Sequence, residues 1–348
     1  MFLSARSGWL RRLHRNRLAQ LSLGAGASVG LTYLAVRSLA WRDVAATFAD
    51  FPVWSVAAAL LPMAAAILLR AARWHVLLPG GAVSLGQVAL VQNTGLGVNN
   101  MLPVRMVSEP IQLALITRRY HVPFPTALAT LVAGNVLDIF ATTMLMGFGI
   151  LLVPGLREGR VSIQLAVALI LFVVSVLVFI VVARGLDAIP IAKRLRFFQQ
   201  LTIAVGLLRD MPGRLLLSFL GTVGHMFFIG VAGWVVASAL GIDVGLLTMA
   251  TILVAATFFT SAVPSLPGGA GTYHFAVISM MTAVGVDHAV AFSFAIVMHL
   301  IIFLPPSVLA LGMMWKVGAG MMLGSGEVGL GAQRDLVPSG ADPDRPAR

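Results

Sequence analysis

The chain has 348 residues, of which 59% are hydrophobic and only 11% are charged, and its mean hydropathy is +0.94. This composition excludes an ordinary soluble globular domain and indicates a polytopic membrane protein, while the absence of cysteine excludes disulfides, thiolate metal sites and a cysteine nucleophile. The net charge of +11 favours anionic lipid over nucleic acid as a partner, because the basic residues lie between apolar segments instead of forming one basic face.

A basic arm, residues 1–20, opens the chain and carries five arginines. The apolar run that follows, residues 21–40, has no clear small-residue cleavage site, so we expect an uncleaved first helix instead of a signal peptide. Two interpretations of the arm remain open. It either only orients the protein in the membrane or also lies on anionic headgroups.

Six apolar runs are each long enough to cross a bilayer, which takes about 20 residues. They are residues 21–40, 53–77, 127–153, 162–183, 215–240 and 289–315. Two further apolar regions, 85–116 and 246–284, are interrupted by polar residues, Pro and Gly at 99–105 and 264–271. Broken backbone at membrane depth survives only where protein or a water-filled cavity satisfies its N–H and C=O groups. The paired breaks therefore predict a binding site.

The basic residues sort well between the two sides of a membrane if each broken region is a re-entrant hairpin. Both termini and most basic residues then lie in the cytoplasm, as the positive-inside rule expects. If just one hairpin were a full crossing, all later segments would have the opposite orientation, and one of the basic clusters would lie outside. The predicted fold class is an all-α polytopic membrane protein with six full spans and two opposed re-entrant helical hairpins, a topology that suggests an inverted repeat.

This topology divides the chain into three parts. Residues 1–20 form the basic cytoplasmic arm, residues 21–316 form one transmembrane domain, and residues 317–348 form a polar tail. The tail is rich in Gly, Pro and Asp and has no clear apolar periodicity, so we expect it to be disordered.

Ionisable residues inside apolar segments are the main candidates for a site, because each costs about 2.5–3.5 kcal/mol to insert. Arg105 and Glu109 are spaced i,i+4 and share a helix face. They either neutralise each other, or Arg105 binds a phosphate and Glu109 binds a cationic group or a proton. Asp138 shares a helix face with Asn135, in a structural hydrogen-bonding role or in contact with substrate.

Two arginines lie towards the end of the second apolar run. Arg73 and the neighbouring Trp74 are typical of the membrane interface, where long cationic side chains snorkel and Trp is enriched. Arg70 lies deeper, so it is the better candidate to reach a lipid phosphate.

In the second break, Gly268, Gly269 and Gly271 allow positive φ. Thr272 begins a predicted helix whose free N–H groups favour anions. The segment is either an anion site or only a Gly-rich bend. His274, on the first turn of this helix, could titrate. The three intramembrane histidines show no recognisable ligand spacing, so we expect neither a metal nor another cofactor.

These residues together resemble the lysylphosphatidylglycerol synthase transmembrane, or flippase-like, family. The matching positions are residues 70–74 with 77–78, residues 100–105 with Glu109, Asp138, and residues 267–271. Four differences from the family pattern point to a divergent branch with another substrate. They are one extra residue in 106–108, Gln112 for a usual Arg, Gly134-Asn135 for an acidic-basic pair, and His274 for a frequent Glu.

The resemblance implies a lipid translocase of the inner membrane that moves an anionic or polyprenyl-linked lipid between leaflets. Arg105, supported by Arg70, would hold phosphate from the cytoplasmic side, and residues 268–272 would receive it from the outer side. Glu109, Asp138 and His274 would form a polar lining or a proton-coupled switch. The expected substrate-binding residues are Arg70, Asn100, Arg105, Glu109, Asp138, Gly268, Gly269, Gly271, Thr272 and His274.

Two other functions remain open. One is a glycosyl or phosphoryl transferase acting on a lipid carrier, with Glu109 or Asp138 as base, although the scarcity of acids argues against it. The other is a noncatalytic partner of a lipid-modifying enzyme. A full synthase carries a soluble aminoacyl-transferase domain after the membrane region. Because this chain has only residues 317–348 there, we do not expect it to make lysylphosphatidylglycerol by itself.

Overall fold

The computed structural model of the protein describes residues 22, 24–78, 83–102, 107–153, 211–263 and 265–334. Within these residues all regular structure is helical, in agreement with the predicted class. Ten α-helices follow one another along the described chain: α1 Gly24–Val36, α2 Trp41–Ala49, α3 Trp54–Leu77, α4 Leu85–Met101, α5 Ser108–Arg118, α6 Phe124–Leu152, α7 Pro212–Ala239, α8 Leu246–Ala262, α9 Thr272–Ala283 and α10 His288–Arg334.

Four of the described helices are long and apolar enough to span a membrane. They are α3, α6, α7 and the part of α10 from His288 to Trp315. These four confirm the predicted spans at 53–77, 127–153, 215–240 and 289–315. The protein is therefore a multi-pass helical membrane protein.

The other two predicted spans are not confirmed. For the run at 21–40, α1 ends at Val36, directly before Arg37, and is shorter than the about 20 residues that a span needs. The run at 162–183 lies outside the described residues. At the end of the chain, α10 continues to Arg334 and so enters the segment predicted to be a disordered tail. The division into arm, membrane domain and tail stays a prediction.

The local sequence explains where several helices begin. Ser84 and Gln87 form a capping box at the start of α4, in which each side chain bonds the other residue's backbone N–H. Proline lies in the first turn of α6 and opens α7, positions where its missing N–H would have no partner anyway.

Each interrupted region folds as two helices that pack against each other. The first break separates α4 from α5, and the second separates α8 from α9. In the second break the backbone has φ values of 69°, 72° and 83° at Gly268, Gly269 and Gly271, which confirms the predicted positive φ. Helix α9 begins at Thr272, as predicted.

The two breaks lie against each other. Helix α4 packs on the short 3₁₀ turn Pro267–Gly269, and a Cβ atom placed on Gly268 would lie 3.9 Å from the carbonyl oxygen of Asn100. The end of α4 is also tied to α10, because Asn100 Nδ2 donates to the carbonyl of Phe303 at 3.3 Å and to Ser307 Oγ at 3.4 Å. The polar end of α4 is thereby held in the interior of the bundle.

The two largest apolar cores among the described residues hold the helices around this contact. The larger is built mainly from α3, α7, α8, α9 and α10 and contains the fully buried Leu253, Tyr273 and Phe294. The smaller joins α3 to α4, α5 and α6 through Trp74 and Ile116. Both cores contain residues of α3 and of α6, so these two helices connect them.

Candidate functional site

A cavity of about 290 Å³ lies among α3, α4, α6, α7, α8 and α10. Three of the residues predicted to bind substrate line it, namely Arg70, Asn100 and Asp138. They come from three different helices and are far apart in sequence. The structure thus brings together the polar residues of α3 and α6 with the first break.

Arg70 reaches the cavity from α3. Its guanidinium makes no hydrogen bond to any described residue, and its Nε is buried without a partner. A second and much smaller pocket, of about 20 Å³, lies on the other side of Arg70 and is lined by Glu109 and Asn135. Glu109 is the acid near Arg70, but the two side chains do not form an ion pair among the described residues.

The one ion pair found among the described residues is formed by Arg73. Its two terminal nitrogens donate to the two carboxylate oxygens of Asp138, with 2.6 Å between Nη2 and Oδ2. Nη1 also donates to Thr222 Oγ1 at 3.1 Å. Arg73 is only 5% exposed. Two-pronged guanidinium–carboxylate pairing is the strong form of this interaction, and here it links α3, α6 and α7.

The side chain of Arg73 does not snorkel out of the helix bundle, in contrast to the expectation, and the place of Arg73 and Trp74 at the membrane interface stays a prediction. Trp74 is 2% exposed, and its indole N–H donates to Thr130 Oγ1 at 3.2 Å. Both side chains are buried because α6 and α7 supply their polar partners. Asp138 is paired with Arg73. Asn135, which was expected to share its helix face, is instead an exposed residue beside the small pocket.

Further polar side chains of α4, α7 and α8 line the cavity beside apolar ones such as Ile67, Phe258 and Phe303. His225 Nδ1 lies 2.8 Å from the carbonyl oxygen of Ala66, and Asn93 Nδ2 donates to the carbonyl of Ala89. Thr257 and Ser261 also face the cavity, and each donates its hydroxyl proton to a carbonyl of α8. The hydrogen bond holds the His225 imidazole in place at the cavity wall.

The glycine segment of the second break is close to the cavity but is not among the described residues that line it. Thr272 is fully buried, and its hydroxyl donates to the carbonyl of Gly269 at 3.0 Å. Gly271 packs against Ser28 and Thr32 of α1. Only Gly268 faces the first break, next to Asn100.

Stacked rings connect His274 with the cavity. Its imidazole stacks on His299 with 4.7 Å between ring centroids, and His299 stacks on Phe303 with 4.3 Å between centroids. Phe303 in turn lines the cavity. Nothing in the sequence spacing indicates this stack, since His299 lies in a different helix. Within the described residues, no three side chains of the metal-ligating types lie together.

An apolar cavity of about 580 Å³ opens between α6, α7 and α8. Phe148, Phe219 and Leu247 are among its lining residues. Met226 borders both this cavity and the polar one. A flexible thioether side chain is thus part of the wall that separates a polar cavity from an apolar one.

Arg105, the residue expected to hold phosphate, lies outside the described residues. Sequence reasoning missed Arg73 and His225 as parts of the site. A usable signal existed for Arg73, because two arginines in one apolar helix require a countercharge and Asp138 is one of only two acids within the apolar segments. No comparable signal marks His225.

One comparison with known proteins finds a match. The family model described as the lysylphosphatidylglycerol synthase TM region matches residues 20–310 of the chain. No curated protein and no solved structure matches it. The match agrees with the family resemblance carried by the two breaks and the arginines of α3.

Proposed function

We propose, on the premise that the chain belongs to the lysylphosphatidylglycerol synthase transmembrane family, that it is a lipid translocase. It moves an anionic or polyprenyl-linked lipid between the two leaflets of the inner membrane. The observation that carries the proposal is Arg70, whose Nε is buried, which faces a cavity inside helices long enough to span a membrane and has no hydrogen-bond partner among the described residues.

A half-buried cation without a hydrogen-bonded acceptor is unfavourable, and an intramembrane charge is by default part of a functional site. Arg70 lies seven residues before the end of α3, which corresponds to about 10 Å along the helix. An arginine presents several N–H donors in a fork that matches the oxygens of a phosphate. A lipid phosphate in the cavity would supply the missing acceptor.

The ion pair between Arg73 and Asp138 supports this assignment. Since Asp138 pairs with Arg73, Arg70 is the arginine at the cavity that has no hydrogen-bonded acid among the described residues. Glu109, on the far side of Arg70, would attract its guanidinium when no lipid is bound. Phosphate binding would then compete with Glu109 for Arg70. Arg105 would add a second phosphate ligand at the first break.

The size of the cavity indicates which part of a lipid enters it. A volume of about 290 Å³ lies just below the range for ligand pockets, about 300–1,000 Å³, and is too small for a whole lipid. We infer that the headgroup passes through the cavity while the apolar chains stay in the bilayer or in the apolar cavity beside Met226.

The two broken regions supply the route. In the proposed topology, α4 with α5 forms a hairpin that enters from the cytoplasm, and α8 with α9 forms one that enters from the outside. Their contact at Asn100 and Gly268 supports a meeting of the two breaks in the interior. Inverted hairpins that meet near the midplane are typical of alternating-access transporters. Both termini would lie in the cytoplasm.

The test is a measurement of lipid movement in vesicles reconstituted with the full chain. The probe is phosphatidylglycerol labelled on an acyl chain, because a label on the headgroup would not fit the cavity. Dithionite bleaches the fluorophores of the outer leaflet. The further bleaching over time reports how fast lipids of the inner leaflet move to the outer one. We expect wild-type protein to accelerate exchange and Arg70→Gln to abolish most of the acceleration.

The matched control is Arg118→Gln, which removes a charge from an exposed position at the end of α5. It should exchange lipid at the wild-type rate. Equal rates for wild type and Arg70→Gln would refute the role of Arg70, and the absence of any acceleration by wild-type protein would refute the translocase proposal for this lipid.

A further inference from the structure

The polar cavity and the apolar cavity are neighbours, and one side chain borders both. Among the described residues, Met226 of α7 is the residue that the two linings share. It is only 7% exposed and packs with Ala141 and Val254 in a small apolar cluster. Ala141 lines the apolar cavity and Val254 lines the polar one. This cluster is therefore a partition between the two cavities.

Helix α8 lines the two cavities one after the other along a single face. Leu247 and Ala250 line the apolar cavity, and Val254, Thr257 and Ser261 line the polar cavity. Successive positions in this series are three or four residues apart, a spacing that keeps side chains on one face of a helix. The two cavities thus lie in line along α8, and the partition meets this face at Val254.

The apolar cavity opens to the side of the helix bundle. All of its described lining residues are apolar, and three of them, Met144, Phe148 and Phe227, are 40%, 51% and 48% exposed. These three belong to α6 and α7, which are two of the confirmed spanning helices. Bilayer hydrocarbon surrounds the exposed side chains of such helices. A hydrocarbon chain can therefore enter this cavity directly from the bilayer.

The joined arrangement of the cavities matches the joined chemistry of a lipid. We propose, on the basis of the translocase function above, that the apolar cavity holds an acyl chain of the transported lipid and that Met226 is the gate between chain and headgroup. When the Met226 side chain turns aside, a phosphate headgroup passes sideways from the bilayer to Arg70. When it turns back, it separates the polar cavity from the hydrocarbon.

Methionine is suited to this role. Its side chain is unbranched and has three rotatable bonds, so it adapts its shape to its surroundings. The partition can therefore open by side-chain rotation, without the movement of a whole helix. In the closed state it keeps hydrocarbon away from Arg70, and a charged group in hydrocarbon is costly. The gate thus limits the contact between hydrocarbon and charge to the moment of entry.

Labelling of a single cysteine measures passage through the partition, because the chain contains no cysteine of its own. The cysteine replaces Thr142, which lines the polar cavity. The full chain is reconstituted in phosphatidylcholine vesicles and treated with one of two maleimides. One carries a dodecyl chain and arrives from the bilayer, and the other carries a sulfonate and arrives from water. The ratio of their labelling rates reports the bilayer route, because the reactivity of the thiol cancels.

Truncation of Met226 in this background is expected to open the partition. A minor conformer is populated to about 10% or less, so Met226→Ala should raise the labelling ratio at least about tenfold. Met226→Val fills more of the core than Met226→Ala and should give a smaller rise. Met226→Leu, which keeps the volume of the side chain, should not raise the ratio. Two other methionines serve as matched controls. Met144 lines only the apolar cavity and Met63 only the polar one, so their alanine variants should keep the wild-type ratio.

The opposite results would overturn the gate. An unchanged ratio in both Met226→Ala and Met226→Val would do so, because the bilayer route would then bypass the partition. A rise of equal size in Met144→Ala would do so as well, because Met226 would have no special place. Disulfide-linked dimers of a Phe148→Cys variant in the same vesicles would overturn the acyl-chain site, since a second copy of the chain would then cover the cavity.

Lipid exchange separates the gate from the proposed function. Exchange that depends on Arg70, together with an unchanged labelling ratio in the Met226 variants, would overturn the gate and leave the translocase intact. A raised ratio in Met226→Ala, together with no lipid exchange by wild-type protein, would support the partition and count against the translocase.

Discussion

Arg73 of α3 and Asp138 of α6 form a buried, two-pronged ion pair, and Thr222 of α7 adds a hydrogen bond to the same guanidinium. Three of the four confirmed spanning helices meet at this point. Arg70, three residues earlier on α3, has no such partner among the described residues. The two arginines of one helix therefore have separable roles, one in stability and one at the cavity.

We expect Arg73→Gln to destabilise the protein by about 3–5 kcal/mol, the usual effect of leaving one partner of a buried pair uncompensated. Adding Asp138→Asn should restore part of this loss, because the double variant contains no buried charge at the pair. Unfolding in detergent micelles, followed by circular dichroism, measures both. If the loss of stability in the double variant equals the sum of the losses in Arg73→Gln and Asp138→Asn, the two residues do not interact.

Arg70→Gln is expected to change the free energy of unfolding by less than about 1 kcal/mol, since its removal breaks no hydrogen bond among the described residues. The same unfolding measurement, run beside Arg73→Gln, checks the contrast. A loss as large as that of Arg73→Gln would make Arg70 a structural residue and would weaken any loss of transport as evidence for phosphate binding.

Gly271 and Gly285 both have positive φ, at 83° and 88°, but only Gly271 is crowded. A Cβ atom on Gly271 would collide with Ser28 and Thr32 of α1, whereas one on Gly285 would meet nothing within 4 Å. We expect Gly285→Ala to cost about 1 kcal/mol for the backbone strain alone, and Gly271→Ala to cost clearly more. Thermal unfolding compares them. Equal losses would mean that α1 does not pack against the second break.

The packing of the first break on α10 can be tested by cross-linking, because the chain contains no cysteine. The side chains of Asn100 and Ser307 approach to 3.4 Å, so we expect cysteines at these two positions to form a disulfide on mild oxidation. Protection from a thiol-reactive polyethylene glycol reports the bond. A cysteine at Phe148, beside the apolar cavity, paired with the one at Asn100 serves as the control and should stay reactive.

The spanning helices could be predicted because length and apolar composition alone identify them. Helices α3, α6, α7 and α10 all appear at the predicted places. The start of α9 at Thr272 and the positive φ values before it also follow from local rules, since glycine is the residue that adopts φ > 0 without strain. The first predicted span is different, because α1 ends directly before Arg37.

The partners of the site residues could not be predicted in the same way. Arg73 and Asp138 are 65 residues apart, and Arg73 and Thr222 are 149 residues apart. Such pairs arise from tertiary packing, which hydropathy and local spacing do not encode. Position near the end of a helix favoured snorkelling of Arg73, but its side chain is buried because α6 and α7 supply polar partners. The stack of His274 on His299 has the same origin.

The separation of Arg73 from its countercharge has a consequence for synthesis. During translation, α3 leaves the ribosome with two arginines while Asp138 is still 65 residues away. At about 5–20 residues per second, α6 follows several seconds later. Until then the translocon, water or lipid headgroups must solvate the guanidinium groups, so the insertion of α3 depends on the later arrival of α6. Truncated nascent chains that end before Asp138 should integrate α3 less completely than longer ones.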